Sequence, residues 1–216
     1  MPKAKRRPRN SPQYQDVIKQ MNIVLGLSRE KIPLKFQREF EGKPFENCEY
    51  CRTPLQVEGK RYLVFKYYVG GELRQELAVC HACRTELKNG YSEESKATLK
   101  KIYNDAYVAG RLEILFQLNE NDNRYLAMTE KCALCQTLKI ELSEFFEYAW
   151  CEGDELVYYT QPSLICSKCA QSVYNQLSAE TKDHKRKFYE KHYGYPPPNV
   201  SSNDLTDIAN SLWNLL

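Results

Sequence analysis

The sequence predicts an α+β chain in which one small module is used twice. Two observations carry this reading. Eight of the nine cysteines fall into four C-x-x-C pairs, Cys48/Cys51, Cys80/Cys83, Cys132/Cys135 and Cys166/Cys169. The chain also matches itself at an offset of about 85 residues, the mark of a repeated unit. Cys-Glu-Tyr-Cys-Arg-Thr from Cys48 aligns with Cys-Ala-Leu-Cys-Gln-Thr from Cys132. Gly70 to Leu73 aligns with Gly153 to Leu156, and Ser92 to Lys96 with Ser178 to Lys182.

Each copy reads the same way along its length. The first cysteine pair lies in a loop. Tyr62 to Val69 and Phe145 to Cys151 follow, dense in aromatic and β-branched residues and therefore strand-forming. Gly70-Gly71 and Gly153-Asp154 supply the positive-φ positions of a tight hairpin turn. A return strand leads into the second cysteine pair, where a helical pattern begins. Gly90 ends the first short helix. Ser92 and Ser178 then read as N-caps, with acids in the first turn where the helix dipole favours them.

Residues 1–10 carry five cations and no acids, and are expected to be a disordered basic tail. Residues 11–43 hold an amphipathic helix, with Tyr14, Val17, Ile18, Met21, Val24 and Leu25 on one face, and a connection. The first module spans 44–118 and includes a long helix from Ser92 to about Leu118. Its second half (Val108, Leu112, Leu115, Phe116, Leu118) is apolar over a wide face and is expected to lie buried between the modules. A linker covers 119–127 and the second module 128–195. Residues 196–216 hold a proline-rich turn and a last amphipathic helix with Leu205, Ile208, Leu212, Leu215 and Leu216.

The cysteine spacing points to metal. Disulfides are disfavoured in a reducing compartment, and the N-terminus has no apolar secretory stretch. The two pairs of each copy are separated by 28 residues in the first and 30 in the second, enough for a hairpin to bring them together. Zn2+ is satisfied by four thiolates in a tetrahedron, so Cys48, Cys51, Cys80 and Cys83 are expected to hold one ion and Cys132, Cys135, Cys166 and Cys169 a second. Iron fits the same spacing. A closed four-sulfur shell has no open position, which makes such sites structural rather than catalytic.

Loop pair, hairpin, then a cysteine pair opening a helix is the order of a treble-clef module, and residues 44–103 and 128–193 resemble that superfold. The resemblance implies two tandem knuckle, hairpin and helix units. It implies no particular activity, because the fold serves many functions. Cys151 aligns with a strand position, Tyr68, and reads as packing. His81 follows a ligand and is either a support of the metal shell or a plain surface histidine. No phosphate-binding loop, dinucleotide glycine pattern, nucleophile elbow or zinc-protease helix is present.

The formal net charge is +3. Setting aside the five tail cations turns this into −2, and two four-thiolate zinc sites, each −2, take the body to −6. An acidic body with a basic tail disfavours a general nucleic-acid surface. Two stretches could still grip phosphate: Lys3, Lys5, Arg6, Arg7 and Arg9 of the tail, and Lys182, Lys185, Arg186 and Lys187 beside Phe188, Tyr189 and Tyr193. The plainer reading of the second stretch is an amphipathic helix with its cations outward. The sequence thus favours a non-enzymatic, zinc-stabilised binding or scaffold protein with a protein partner. Its contact surface would be the outward aromatic face of the hairpins or the terminal helices. Nucleic-acid binding is the alternative, and an enzyme with an unrecognised site comes third. No membrane span and no small-molecule substrate are evident, and the expected location is cytoplasmic, or nuclear if the chain is eukaryotic and the tail is a targeting signal.

Overall fold

The computed structural model describes residues 29–39, 41–108, 124–157 and 162–193. The expected basic tail, both expected terminal amphipathic helices, the expected helical stretch beyond Val108 and the expected connection at 119–123 lie outside the described residues.

Six strands form one mixed-length antiparallel sheet. β2 (Arg61–Val69) and β3 (Glu72–Cys80) make the first hairpin, turning at Gly70 (φ 59°) and Gly71 (φ 82°), a left-handed pair that only glycine adopts cheaply. β4 (Glu144–Glu152) turns at Gly153 (φ 58°) into β5 (Glu155–Val157), and β6 (Ser163–Cys166) returns beside the far half of β4. β1 (Arg29–Lys31) adds an edge to β5, giving the order β1-β5-β4-β2-β3 with β6 also on β4.

The two copies are not separate bodies. β2 and β4, which occupy equivalent places in the repeat, pair antiparallel over their whole length, from Arg61↔Glu152 to Val69↔Glu144. The spacing of 83 that relates Gly70 to Gly153 also relates Phe65 to Tyr148, and these two residues face each other across the ladder. A pseudo-twofold axis therefore passes through that pair. Its reach is visible in the turns: the Gly70 N–H donates to Ser143 O at 2.7 Å, and the Gly153 N–H donates to the equivalent Lys60 O at 3.4 Å.

Pairing the copies in this way leaves the hairpin aromatics little outer surface, and this corrects the expectation of an outward aromatic face. Tyr62, Leu63, Val64, Phe65, Tyr68, Phe145, Phe146 and Tyr148 are all buried, so both faces of the central strands are covered. Rings meet across the ladder, Tyr68 with Phe145 at 5.0 Å and Tyr67 with Phe146 at 4.8 Å. Each fully buried aromatic side chain contributes roughly 1.5–3 kcal/mol from water exclusion alone. On the Tyr68 face the cover includes Phe36 from a 3-10 turn (Leu34–Phe36) and Tyr125 from a short helix, α3 (Arg124–Thr129), whose rings meet at 5.4 Å. The expected linker thus ends inside folded structure, because Tyr125 and Met128 recur at helical spacing and both are buried.

Two charges are buried in the same face. Lys66 donates to Gln37 O at 2.6 Å and pairs with Glu76 at 3.0 Å. Glu147, its cross-strand neighbour, accepts from Lys35 at 2.9 Å and Lys139 at 2.6 Å. At the equivalent positions of the other half stand Ala149 and Val64, so the copies have diverged here.

Among the described residues there are four further α-helices. α1 (His81–Asn89) and α2 (Glu93–Ile102) follow β3, and α2 runs on into a wider π-helical turn (Tyr103–Val108). α4 (Ser167–Asn175) and α5 (Ala179–Tyr193) follow β6. As expected, Ser92 caps α2 through the Ser95 N–H, and Ser178 caps α5 through the Thr181 N–H, both at 3.1 Å. The caps also meet one another. Ser92 Oγ and Ser178 Oγ are 2.8 Å apart, the Ser92 N–H donates to Thr181 Oγ1, and the Ser178 N–H donates to Ser95 Oγ. Equivalent residues exchange equivalent bonds, so the pseudo-twofold relation holds at the helices too.

Where α1 ends, Gly90 has an ordinary φ of −82°, so its lack of a side chain answers a neighbour rather than the backbone. A Cβ there would fall inside the imidazole of His184 on α5. Gly90→Ala should destabilise the fold by about 1–3 kcal/mol through overpacking, read by thermal or chemical unfolding. Adding His184→Ala should recover part of that loss. An unchanged midpoint for Gly90→Ala would show that α5 does not pack here.

Candidate metal centres

Each cage is built from a knuckle and a strand-to-helix junction. Arg52 (φ 57°) and Gln136 (φ 61°) occupy the left-handed region immediately after the first pair, although neither is glycine. That kink folds the loop back so that the Arg52 N–H reaches Cys48 O at 3.0 Å and the Gln136 N–H reaches Cys132 O at 2.9 Å. Sheet bonds fix each knuckle to its own return strand, Glu49 N–H to Ala78 O and Ala133 N–H to Leu164 O. Cys80 and Cys166 are the last residues of β3 and β6, and Cys83 and Cys169 lie in the first turn of the helices that follow.

The eight paired cysteines therefore converge as two groups. The four Sγ atoms of Cys48, Cys51, Cys80 and Cys83 lie within 4.8 Å of one another, and so do those of Cys132, Cys135, Cys166 and Cys169. Cys51 and Cys80 approach to 3.7 Å, as do Cys135 and Cys166. No cysteine is in a disulfide. A tetrahedron of sulfurs about 2.3 Å from a zinc ion has edges of about 3.8 Å, so the donor set fits such an ion. Cage surroundings repeat as well. The Cys80 N–H donates to Cys48 Sγ at 3.3 Å and the Cys166 N–H to Cys132 Sγ at 3.4 Å. Thr53 and Thr137 each place a hydroxyl 3.2 Å from the exposed cysteine of their pair. These two threonines carry a signal in the sequence, the shared C-x-x-C-x-Thr.

Electrostatics within the cages favour a cation. Burial pushes the Cys51 thiol up, but hydrogen bonds with Thr53 and the neighbouring cysteines outweigh it and hold the thiol at about 6. Burial and its neighbours push Cys80 and Cys83 up. In the second cage Cys132 is driven far down by hydrogen bonds from Cys166 and Cys169, and the same contacts with Cys132 raise Cys166 to about 11 and push Cys169 up further. In each cage one thiol is thus drawn down while two of its neighbours are pushed up. A divalent cation at the centre reverses this, because its charge favours all four thiolates together.

Other candidate residues fall elsewhere. Cys151 is fully buried, pairs across the ladder with Tyr62, and is kept a thiol by burial. His81 is exposed, 3.4 Å from the Thr85 hydroxyl and 6.1 Å from the Trp150 ring, outside the sulfur cage. Lys185 is buried at 2% exposure with its ammonium 5.0 Å over Tyr174, so it offers no charge to a phosphate. Lys182 Nζ lies 5.1 Å over the same ring and donates to Asn175 O. Arg186 pairs with Asp183 and Glu190, and Lys187 with Asp183. Lys3, Lys5, Arg6, Arg7 and Arg9 lie outside the described residues. Among the described residues no helix is long and apolar enough to cross a membrane.

Elemental analysis should find two metal ions per chain. Cys48→Ser or Cys135→Ser should reduce this to about one, whereas Cys151→Ser should keep both; a full complement in a ligand variant would remove that cysteine from its cage. Acid should release the metal, because Cys83, Cys166 and Cys169 favour their protons and protons compete with the ion for sulfur. Affinity should therefore rise with pH from 5 to 8 in a competition titration with a chromogenic chelator, and a flat profile would exclude thiolate ligands. Comparisons with known protein families, with characterised proteins and with solved structures found no match to this chain, so the two four-cysteine groups are the features from which its function is read.

Proposed function

We propose that the chain is a zinc-stabilised, non-enzymatic binding scaffold, with two structural Zn2+ sites of treble-clef type. The observation that carries this is the duplicated closed set of four sulfurs. A zinc ion with four thiolate ligands keeps no position for water or substrate, so its role is to hold a shape. Treble-clef character is supported by the order of parts in each copy: knuckle, hairpin, and a helix opened by the second pair.

A protein partner is supported by where apolar side chains reach solvent. Leu34, Leu126 and Ile140 are 75%, 57% and 92% exposed. They are chain neighbours of Lys35, Tyr125 and Lys139, which are drawn together by the buried Glu147 and by the Lys35–Tyr125 contact at 5.4 Å. Exposed apolar side chains on three segments that converge near Glu147 support a contact surface there. The partner chemistry is accordingly an apolar protein surface. Nucleic-acid binding through 182–193 is weakened by the internal partners of Lys182, Lys185, Arg186 and Lys187, and the remaining support for it is the basic tail.

Purification of the native protein tests the two readings together. The expected result is two zinc ions per chain and a stable protein complex that Leu34→Asp with Ile140→Asp disrupts while metal content and melting temperature stay unchanged. Recovery instead with nucleic acid, bound with a strong salt dependence, would replace the scaffold reading by the alternative.

A further inference from the structure

The first cage draws its sulfurs from one copy, but part of its cover comes from the other. Tyr50, between Cys48 and Cys51, packs its ring on Phe188 at 5.2 Å, Tyr189 at 6.3 Å and His192 at 5.2 Å, all on α5 of the second copy. The other half of the first cage, α1, is held by the same helix. His184 Nε2 lies 3.0 Å from Leu87 O, and Lys191 pairs with Glu86 at 2.6 Å. Through a short turn α5 follows α4, which carries Cys169 and begins directly after Cys166. The α4–α5 segment thus starts at the second cage and closes over the first. Leu134, Ile102 and Tyr103, which stand at the equivalent places for the reverse arrangement, are partly buried against the same core.

We infer that the two metal sites are thermodynamically coupled: an ion in one cage tightens the other through the helix exchanged between the copies and through the β2–β4 ladder. This rests on the reading of the cages as metal sites. The physical reason is that an empty cage frees its knuckle and its helix start. For the second cage that start is α4, and a displaced α4 carries α5 away from Tyr50, α1 and the Ser92–Ser178 contact. Each ion then binds a partner cage that is either already braced or loose. The linkage is reciprocal, so each ion must favour the other by the same factor.

Substoichiometric loading tests the inference directly. Metal-free full-length protein is mixed with one equivalent of Zn2+, and native mass spectrometry counts chains holding zero, one or two ions. Independent, equal sites leave about half of the chains singly loaded, and a tenfold coupling lowers this to about a quarter. The expected result is a singly loaded fraction at or below a quarter.

A cycle of variants read by Co2+ absorption separates coupling from unequal affinities. Cys48→Ser, which abolishes the first cage, should weaken Co2+ binding at the second by roughly 5–150-fold. In a Phe188→Ala background the same change should weaken it less, because part of the bridge is already removed. Two bound ions with about half of the chains singly loaded, and a second cage indifferent to Cys48→Ser, would overturn the coupling and leave the metal assignment standing. Failure to load two ions at all would overturn both.

Discussion

Everything in this molecule depends on bringing four sulfurs within a few ångströms of one another, twice. Four thiols at that separation cannot all ionise, and buried thiols that stay protonated do not attract. Without a cation each cage is held by single backbone bonds from its knuckle to its return strand and by a left-handed turn at Arg52 or Gln136. With a divalent ion the same sulfurs become the anchor of their module. Structural zinc in small modules supplies on the order of 10–16 kcal/mol of apparent binding free energy, comparable to the roughly 5–15 kcal/mol by which a typical domain is stable. A bound ion would fix where β3 and β6 end and where α1 and α4 start, because Cys80 and Cys166 sit at those junctions.

The second organising feature is the antiparallel contact between β2 and β4. A single hairpin of nine-residue strands has two apolar faces and cannot cover both. Pairing two equivalent hairpins edge to edge, with Phe65 opposite Tyr148, builds a sheet wide enough to be covered by helices and connecting segments. The arrangement has the logic of a twofold-symmetric dimer interface, in which every contact is repeated by its symmetry mate and only the pair on the axis, Phe65 and Tyr148, joins equivalent residues, carried here within one chain. Ser92 against Ser178 repeats that logic at the helix starts. Fusion also allows the halves to differ, as Lys66 and Glu147 do from Ala149 and Val64.

Much of the local structure was legible in the sequence because it follows short-range rules. The hairpin turns at Gly70 and Gly153, the caps at Ser92 and Ser178, the stop at Gly90 and the grouping of the eight cysteines all depend on residues close in the chain or on fixed ligand spacing. What was not legible depends on partners far apart. β1, of sequence Arg-Glu-Lys, has no strand pattern of its own and exists because β5 offers an edge. The burial of Tyr62 to Tyr68 on both faces could not be told from an exposed aromatic strip, because a two-sided core and a binding strip share the same composition. Adjacency in the chain groups Lys185 with Arg186 and Lys187, yet helical geometry turns it inward onto Tyr174 while its neighbours face solvent.

The central claim is that each cage is a closed four-sulfur metal site, and X-ray absorption at the metal edge of the purified protein measures that most directly. The account predicts zinc surrounded by four sulfur neighbours at about 2.3 Å, with no nitrogen or oxygen in the shell. A mixed shell with oxygen or nitrogen would mean an open site and a different function, and protein that folds and remains fully stable without metal would contradict the account outright.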